Sequence, residues 1–156
     1  YHAFKNKDLH RNFMGYTTGN TQLMIGLGMS SISDSWYGFA QNSKSLKEYL
    51  STIEKGQLAV FKGHKLTNED LMIRQQILNL MCKFETTWDD KFKDSKNYKS
   101  IMLRLKPLII DGLAIIEGNS LLITELGKVF VRNICMCFDV KLKHNLKYEN
   151  IFSKTI

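Results

Sequence analysis

LLITELGKVFVRNICMCFD, at residues 121–139, is the stretch that decides the fold of the C-terminal half. It begins as a short apolar strand. Thr124 then supplies the side-chain oxygen of a helix N-cap, and Glu125 follows in the first turn, where the helix dipole favours an anion. Apolar side chains then recur at helical spacing and predict one buried face, made of Leu126, Val129, Phe130, Ile134, Cys137 and Phe138. Asn133 lies within this face and needs hydrogen-bond partners if it is buried.

Helical patterns precede this stretch. Thr67 and Asp70 form an N-terminus of capping-box type, with Asp in place of the usual Glu, and a helix is expected from there to about Lys83. Asn97 is expected to cap another helix, which Pro107 must kink or restart because proline lacks the amide donor. A short helix or turn at residues 88–92 separates the two.

A hairpin is predicted over residues 113–123, with Gly118 and Asn119 at its turn. Three helices, a hairpin and a final helix make a winged-helix-like order. The tail after Asp139 is basic and weakly patterned, with Phe152 and Ile156 as expected anchors.

The first 66 residues have a different pattern. Residues 23–29, LMIGLGM, are nearly all apolar, which predicts a strand buried on both faces, as in a parallel sheet. Gly26 and Gly28 lack the third glycine and the helix of a dinucleotide-binding loop. A helix is predicted over residues 43–55, with Gly56 at its C-terminal end. Residues 57–65 are interpreted as a connecting arm. A parallel strand needs neighbouring strands to pair with, so the chain is interpreted as the end of a larger protein.

Composition narrows the function classes. The chain has 156 residues, 44% of them hydrophobic, and a single proline, which is typical of a globular protein. Its net charge of +7 is spread from Lys5 to Lys154, which favours a solvated surface over a binding patch. No apolar run reaches the ~18 residues that span a bilayer, and no signal peptide is visible. The chain does not begin with Met, so we expect a fragment.

No catalytic or metal-binding constellation stands out. Cys135 and Cys137 are two apart on a predicted helix and point to nearly opposite sides, so they do not share a metal. The odd count of three cysteines favours a reducing compartment over a disulfide framework. The four histidines, His2, His10, His64 and His144, are widely separated. We therefore assign no catalytic residue and no metal ligand.

One alternative is a nucleic-acid-binding module. The helix from Asn97 carries Lys99, Arg104 and Lys106 just before a hairpin, where a DNA-binding winged helix has its recognition helix. The basic residues are few, however, and the apolar run of residues 23–29 has no place in such a module.

A resemblance to a known family indicates a function, which the patterns of the sequence do not. Residues 132–139, RNICMCFD, resemble the C-terminal signature of the oxygen-independent coproporphyrinogen III oxidase family of radical S-adenosylmethionine (SAM) enzymes. Residues 9–18 (LHRNFMGYTT), 25–33 (IGLGMSSIS) and 39–42 (FAQN) are also similar to segments of that family, in the same order.

The resemblance implies an α+β, mainly helical fold. Residues 1–42 would be the terminal segment of the catalytic α/β barrel, residues 43–66 a linker helix and arm, and residues 67–156 a winged-helix-like C-terminal domain. The family enzyme is cytoplasmic and oxidatively decarboxylates two propionates of coproporphyrinogen III to give protoporphyrinogen IX, using SAM and a 4Fe-4S cluster. This chain lacks the C-x-x-x-C-x-C cluster motif. The fragment alone is therefore expected to be inactive and cluster-free, with the rest of the barrel as its partner and no membrane or specific nucleic acid.

The resemblance also implies two cofactor-binding residues. Ile32 falls where the family has a residue contacting the second SAM, and Phe13 falls in the loop beside it. Met14 occupies a position where relatives can carry Gln. Arg11 is a candidate contact for substrate carboxylates.

Overall fold

The computed structural model describes residues 1–139 and divides the chain into two compact units, Tyr1–Arg74 and Gln75–Ile156. The division falls inside one helix. The basic tail, with His144 and the expected anchors Phe152 and Ile156, lies outside the described residues. The described residues form a mixed α+β structure with small antiparallel sheets, which confirms the predicted α+β class.

The first unit contains a two-stranded hairpin and a four-stranded antiparallel sheet of order β3-β4-β5-β6. Its elements are α1 (His2–Lys5), β1 (His10–Asn12), β2 (Gly15–Thr17), β3 (Leu23–Met24), β4 (Ile32–Ser35), β5 (Gly38–Asn42), α2 (Leu46–Glu54), β6 (Val60–Lys65) and the start of α3 (Asn68–Lys83).

The prediction of a doubly buried parallel strand over residues 23–29 is wrong. Only Leu23 and Met24 are in a strand, and it pairs antiparallel with β4. Gly26 donates its amide to the Ser33 hydroxyl of β4 (3.0 Å) instead of to a backbone carbonyl of a neighbouring strand. Leu27 is 86% exposed, so the apolar run is a surface loop in this unit.

The connecting arm predicted over residues 57–65 is wrong from Val60 onward. Val60–Lys65 forms β6 and pairs with β5. This pairing crosses the predicted domain boundary after residue 42. That boundary and the one after residue 66 stay predictions, and the compact units divide after Arg74.

The helix start at Thr67 is confirmed. The Thr67 hydroxyl accepts a hydrogen bond from the Asp70 amide (3.2 Å), and the Asp70 carboxylate accepts one from the Thr67 amide (3.0 Å). These reciprocal bonds satisfy two amides at the start of α3 that have no partner within the helix.

In the second unit, helices pack with a three-stranded antiparallel sheet of order β7-β9-β8. Its elements after α3 are β7 (Glu85–Thr87), α4 (Asp90–Lys93), α5 (Tyr98–Ile110), β8 (Ala114–Glu117), β9 (Ser120–Ile123), a 3₁₀ turn (Gly127–Phe130) and α6 (Val131–Met136). The predicted hairpin is β8–β9, with Gly118 at φ +58° in its turn. The largest fully buried side chains are Leu80, Phe92, Ile101, Leu105, Leu121, Ile134 and Phe138.

Pro107 does not restart α5, so that half of the prediction is wrong, whereas a kink at Pro107 stays a prediction. The helix runs unbroken to Ile110. Proline leaves the carbonyl four residues earlier, that of Leu103, without its helical donor, but Leu103 is 71% exposed and water can bond there.

The predicted continuous helix at the end of the chain is also corrected. A 3₁₀ turn precedes α6, and Leu126, Val129 and Phe130 are exposed, whereas Ile134, Cys137 and Phe138 are buried as predicted. The cause is Gly127, whose backbone lies against Leu113 so closely that a Cβ there would be 1.8 Å from the Leu113 carbonyl oxygen. Asn133 is exposed and needs no buried partner.

Candidate functional site

The hairpin β1–β2 places Phe13 and Met14 at its tip. Asn12 pairs with Gly15, so Phe13 and Met14 form a two-residue turn. The Asn12 side-chain oxygen accepts a hydrogen bond from the Met14 amide (2.9 Å), and Gly15 has φ +126°, a conformation that favours glycine. The turn therefore presents two large side chains, with Phe13 53% and Met14 85% exposed.

Phe13 and Ile32 are connected through the four-stranded sheet. The ring of Phe13 meets the ring of Phe39 edge to face, with centroids 5.1 Å apart. Phe39 lies opposite Asp34 in the β4–β5 pair, and paired residues share one face of a sheet. Ile32, two residues before Asp34, is on that face too. The structure therefore brings Phe13 onto the sheet face that carries Ile32. We call this surface, made of Phe13, Ile32, Asp34 and Phe39, the aromatic face.

A cation from α3 completes the aromatic face. Arg74 donates from Nη2 to Asp34 Oδ1 (2.8 Å) and from Nη1 to the Ser35 carbonyl (2.8 Å) and the Trp36 carbonyl (3.4 Å). Its guanidinium carbon also lies 5.0 Å from the centroid of the Phe39 ring. Arg74 and Asp34 form a largely buried ion pair, with side-chain exposures of 19% and 8%.

The loop that leads into Ile32 is fixed by side-chain hydrogen bonds. Asn42 Nδ2 donates to the carbonyls of Gly26 (3.1 Å) and Gly28 (2.9 Å) and to the Ser31 hydroxyl (3.0 Å). The Tyr49 hydroxyl accepts from the Gly28 amide (3.0 Å). The Asn42 amide of β5 also donates to the Ser31 carbonyl (3.0 Å), so the loop is held in place and β4 begins at a defined position.

Arg11 lies on the hairpin. Its guanidinium is 5.6 Å from the ring centroid of Tyr16, the residue that it pairs with across β1–β2. Its Nε is buried without a hydrogen-bond partner. The expected contact with substrate carboxylates stays a prediction.

The cysteines lie outside this site. Cys135 Sγ donates to the Ile77 carbonyl (4.0 Å), and Cys137 Sγ donates to the Arg104 carbonyl (3.5 Å). Burial raises the pKa of the Cys137 thiol above its usual value of 9.0, and the nearby Arg104 charge offsets part of that rise. Within residues 1–139, no three His, Cys, Asp or Glu side chains are grouped closely enough to hold a metal ion.

The chemistry that the aromatic face offers is binding rather than proton transfer. It combines a phenyl ring at a turn, an aliphatic side chain and an already paired carboxylate. The resemblance named Phe13 and Ile32, and their role stays a prediction; sequence reasoning did not name Phe39, Asp34 or Arg74. Residues 39–42, which include Phe39, are similar to a family segment, but that similarity assigns them no role, and nothing local in the sequence marks Arg74 as a partner of Asp34.

Comparison with solved structures gives the class. The chain matches a structure of coproporphyrinogen III oxidase from Escherichia coli, a radical SAM enzyme, with a TM-score of 0.81 and 36% identity, covering 89% of this chain and 33% of that one. No family model matches the chain.

Comparison with curated proteins gives the particular relatives. Oxygen-independent coproporphyrinogen III oxidase from Escherichia coli is 36% identical over 155 residues, which are 95% of this chain and 33% of the relative. The enzymes of the same name from Synechocystis and Helicobacter pylori are each 33% identical and cover 99% and 100% of this chain. The chain is thus homologous to the oxygen-independent coproporphyrinogen III oxidases. It spans about one third of the length of these three relatives.

Proposed function

We propose that this chain is the C-terminal part of a radical SAM enzyme that oxidatively decarboxylates two propionates of coproporphyrinogen III in haem biosynthesis. The observation that carries the proposal is homology along 95% of the chain to enzymes of that name. The remainder of the catalytic barrel would be its partner, and residues 1–42 would complete that barrel. Within the described residues, no helix is long and apolar enough to cross a membrane. We propose a cytoplasmic enzyme.

The two cofactors fit this chain differently. Its three cysteines are buried, with Cys82 in α3, Cys135 in α6 and Cys137 directly after α6. Within residues 1–139 they are not grouped closely enough to offer a set of cluster ligands. The cluster would be held by other parts of the enzyme, and the chain alone would be inactive. The aromatic face suits an adenosine-containing ligand, because a phenyl ring and an aliphatic side chain can pack against a base.

Phe13 and Ile32 would therefore hold the second SAM. When bound, SAM would supply a sulfonium group, which an electron from the 4Fe-4S cluster held elsewhere in the enzyme would cleave to start propionate oxidation. The chain's own part is to bind and orient the cofactor by packing. None of the four groups of the aromatic face is proposed to transfer a proton.

A chimaera tests the proposal, with this chain replacing the aligned third of the Escherichia coli enzyme. We expect anaerobic conversion of coproporphyrinogen III and binding of a second SAM, which Phe13→Ala and Ile32→Ala weaken while iron content stays unchanged. Leu58→Ala is the matched control, because Leu58 is 87% exposed and outside the aromatic face. A folded, iron-loaded chimaera without conversion would contradict the assignment. Equal SAM binding in all variants would contradict the roles of Phe13 and Ile32.

We further propose that residues 67–156 form a winged-helix-like domain. The order α3-β7-α4-α5-β8-β9, with β9 between β7 and β8, supports this. The rival nucleic-acid function is disfavoured by Arg104, which donates to the Ser100 and Asp139 carbonyls. Fluorescence anisotropy with duplex DNA tests the rival function. We expect only nonspecific binding that fades with salt, and sequence-selective binding at physiological salt would favour the rival.

A further inference from the structure

Arg74 contacts both strands that carry the aromatic face. We propose that Arg74 is a positioning residue that holds Phe13 and Ile32 in place for the second SAM, acting through Phe39 and Asp34. This inference rests on the proposed function and adds to it a residue that does not touch the cofactor.

The first route runs through Asp34 to Ile32. Asp34 lies two residues after Ile32 in β4, and its carboxylate is 2.8 Å from Arg74 Nη2. Because the Asp34 side chain is only 8% exposed, removing its cation would leave a buried charge uncompensated. If β4 shifts so that Asp34 reaches water, the strand that carries Ile32 moves with it.

The second route runs through Phe39 to Phe13. The Arg74 guanidinium lies over the Phe39 ring, and the Phe39 ring meets the Phe13 ring edge to face. Phe13 is at the tip of a two-residue turn and is 53% exposed, so this contact restrains a side chain that the hairpin leaves largely in solvent. A Phe39 ring released by the loss of Arg74 would no longer restrain Phe13.

Arginine is suited to this role in a way that lysine is not. Arg74 bonds a carboxylate and two turn carbonyls while its flat group stacks on the rings of Trp36 (5.2 Å) and Phe39 (5.0 Å). Lysine has a single charged nitrogen and no planar group. Arg74→Lys should therefore keep the charge for Asp34 and lose the restraint on Phe39.

The control is Thr67→Ala, which removes the cap of the same helix. Thr67 bonds Asp70 and belongs to the start of α3, so its loss destabilises that helix without touching the aromatic face. A variant of Arg74 that acts only through stability should resemble this control.

The test has two readouts. In the chimaera, Arg74→Met should weaken binding of the second SAM about tenfold or more, a change of ~1.4 kcal/mol, Arg74→Lys should weaken it less, and Thr67→Ala should leave it unchanged. In this chain alone, NMR of the Phe13 ring should show shifted signals in Arg74→Met and Arg74→Lys but not in Thr67→Ala. If Arg74→Met does not fold, Arg74→Lys decides.

The outcomes separate the two proposals. If Phe13→Ala and Ile32→Ala leave SAM binding unchanged, the proposed cofactor site is wrong. If those variants weaken binding but the Arg74 variants weaken it no more than Thr67→Ala, Arg74 is only structural and this inference is overturned. Unshifted Phe13 signals in the Arg74 variants would overturn it as well.

Discussion

Substituting Gly127 by alanine should destabilise the second unit more than the same substitution at a turn glycine of that unit. A Cβ at Gly127 would be 1.8 Å from the Leu113 carbonyl oxygen, 2.7 Å from its carbon and 2.9 Å from Ile123 Cγ2. The Leu113 carbonyl cannot simply move away, because it accepts hydrogen bonds from the Thr124 amide (3.1 Å) and hydroxyl (3.2 Å). The backbone must separate by well over an ångström, so we expect a loss at or above the usual overpacking range, about 3 kcal/mol or more.

Gly118→Ala is the matched control. Gly118 has φ +58° but nothing within 4 Å of its added Cβ, so its cost is backbone strain alone, about 1 kcal/mol. Urea unfolding followed by circular dichroism gives both free energies of unfolding. If Gly127→Ala loses no more than Gly118→Ala, the close contact with Leu113 does not constrain the fold and the explanation of the 3₁₀ turn is wrong.

Three further outcomes can be measured on the same chain. Phe138→Ala should lower the free energy of unfolding, measured by calorimetry, by about 4 kcal/mol, because Phe138 is fully buried and its ring stacks on that of Phe92 with centroids 6.3 Å apart. A decrease under about 1 kcal/mol would contradict its place in the core. Since burial raises the pKa of Cys137 above 9.0, the folded state holds that proton more tightly, so stability should fall as pH rises past 9.0, and the fall should be smaller in Cys137→Ala. Equal pH profiles would refute this. Deleting residues 1–66 should leave a cooperatively melting unit, because the largest fully buried side chains all lie beyond Arg74, and a broad melt would count against two separate units.

Local signals account for the parts of the fold that were predictable. The capping box at Thr67 and the hairpin turn at Gly118 each depend on a few adjacent residues, and both occur as predicted. Strand β6 was missed because all its residues are exposed, so its sequence has no alternation to reveal a buried face. The run of residues 23–29 failed for the opposite reason, since its continuous apolar pattern cannot show whether a neighbouring strand exists to cover it.

The candidate site depends on contacts that no local pattern encodes. Arg74 follows Ile73 in a helical pattern, where a charged residue is ordinarily interpreted as solvated surface. What reverses that interpretation is Asp34, forty residues earlier in the sequence, which is buried in a sheet that the sequence did not predict. A buried carboxylate demands a partner, and only the fold reveals that it is buried. The resemblance could name Phe13 and Ile32, but the antiparallel pairing of β4 with β5 puts Phe39, which contacts Phe13, on the face that carries Ile32. The same pairing sets Asp34 opposite Phe39, and Arg74 contacts both of these residues.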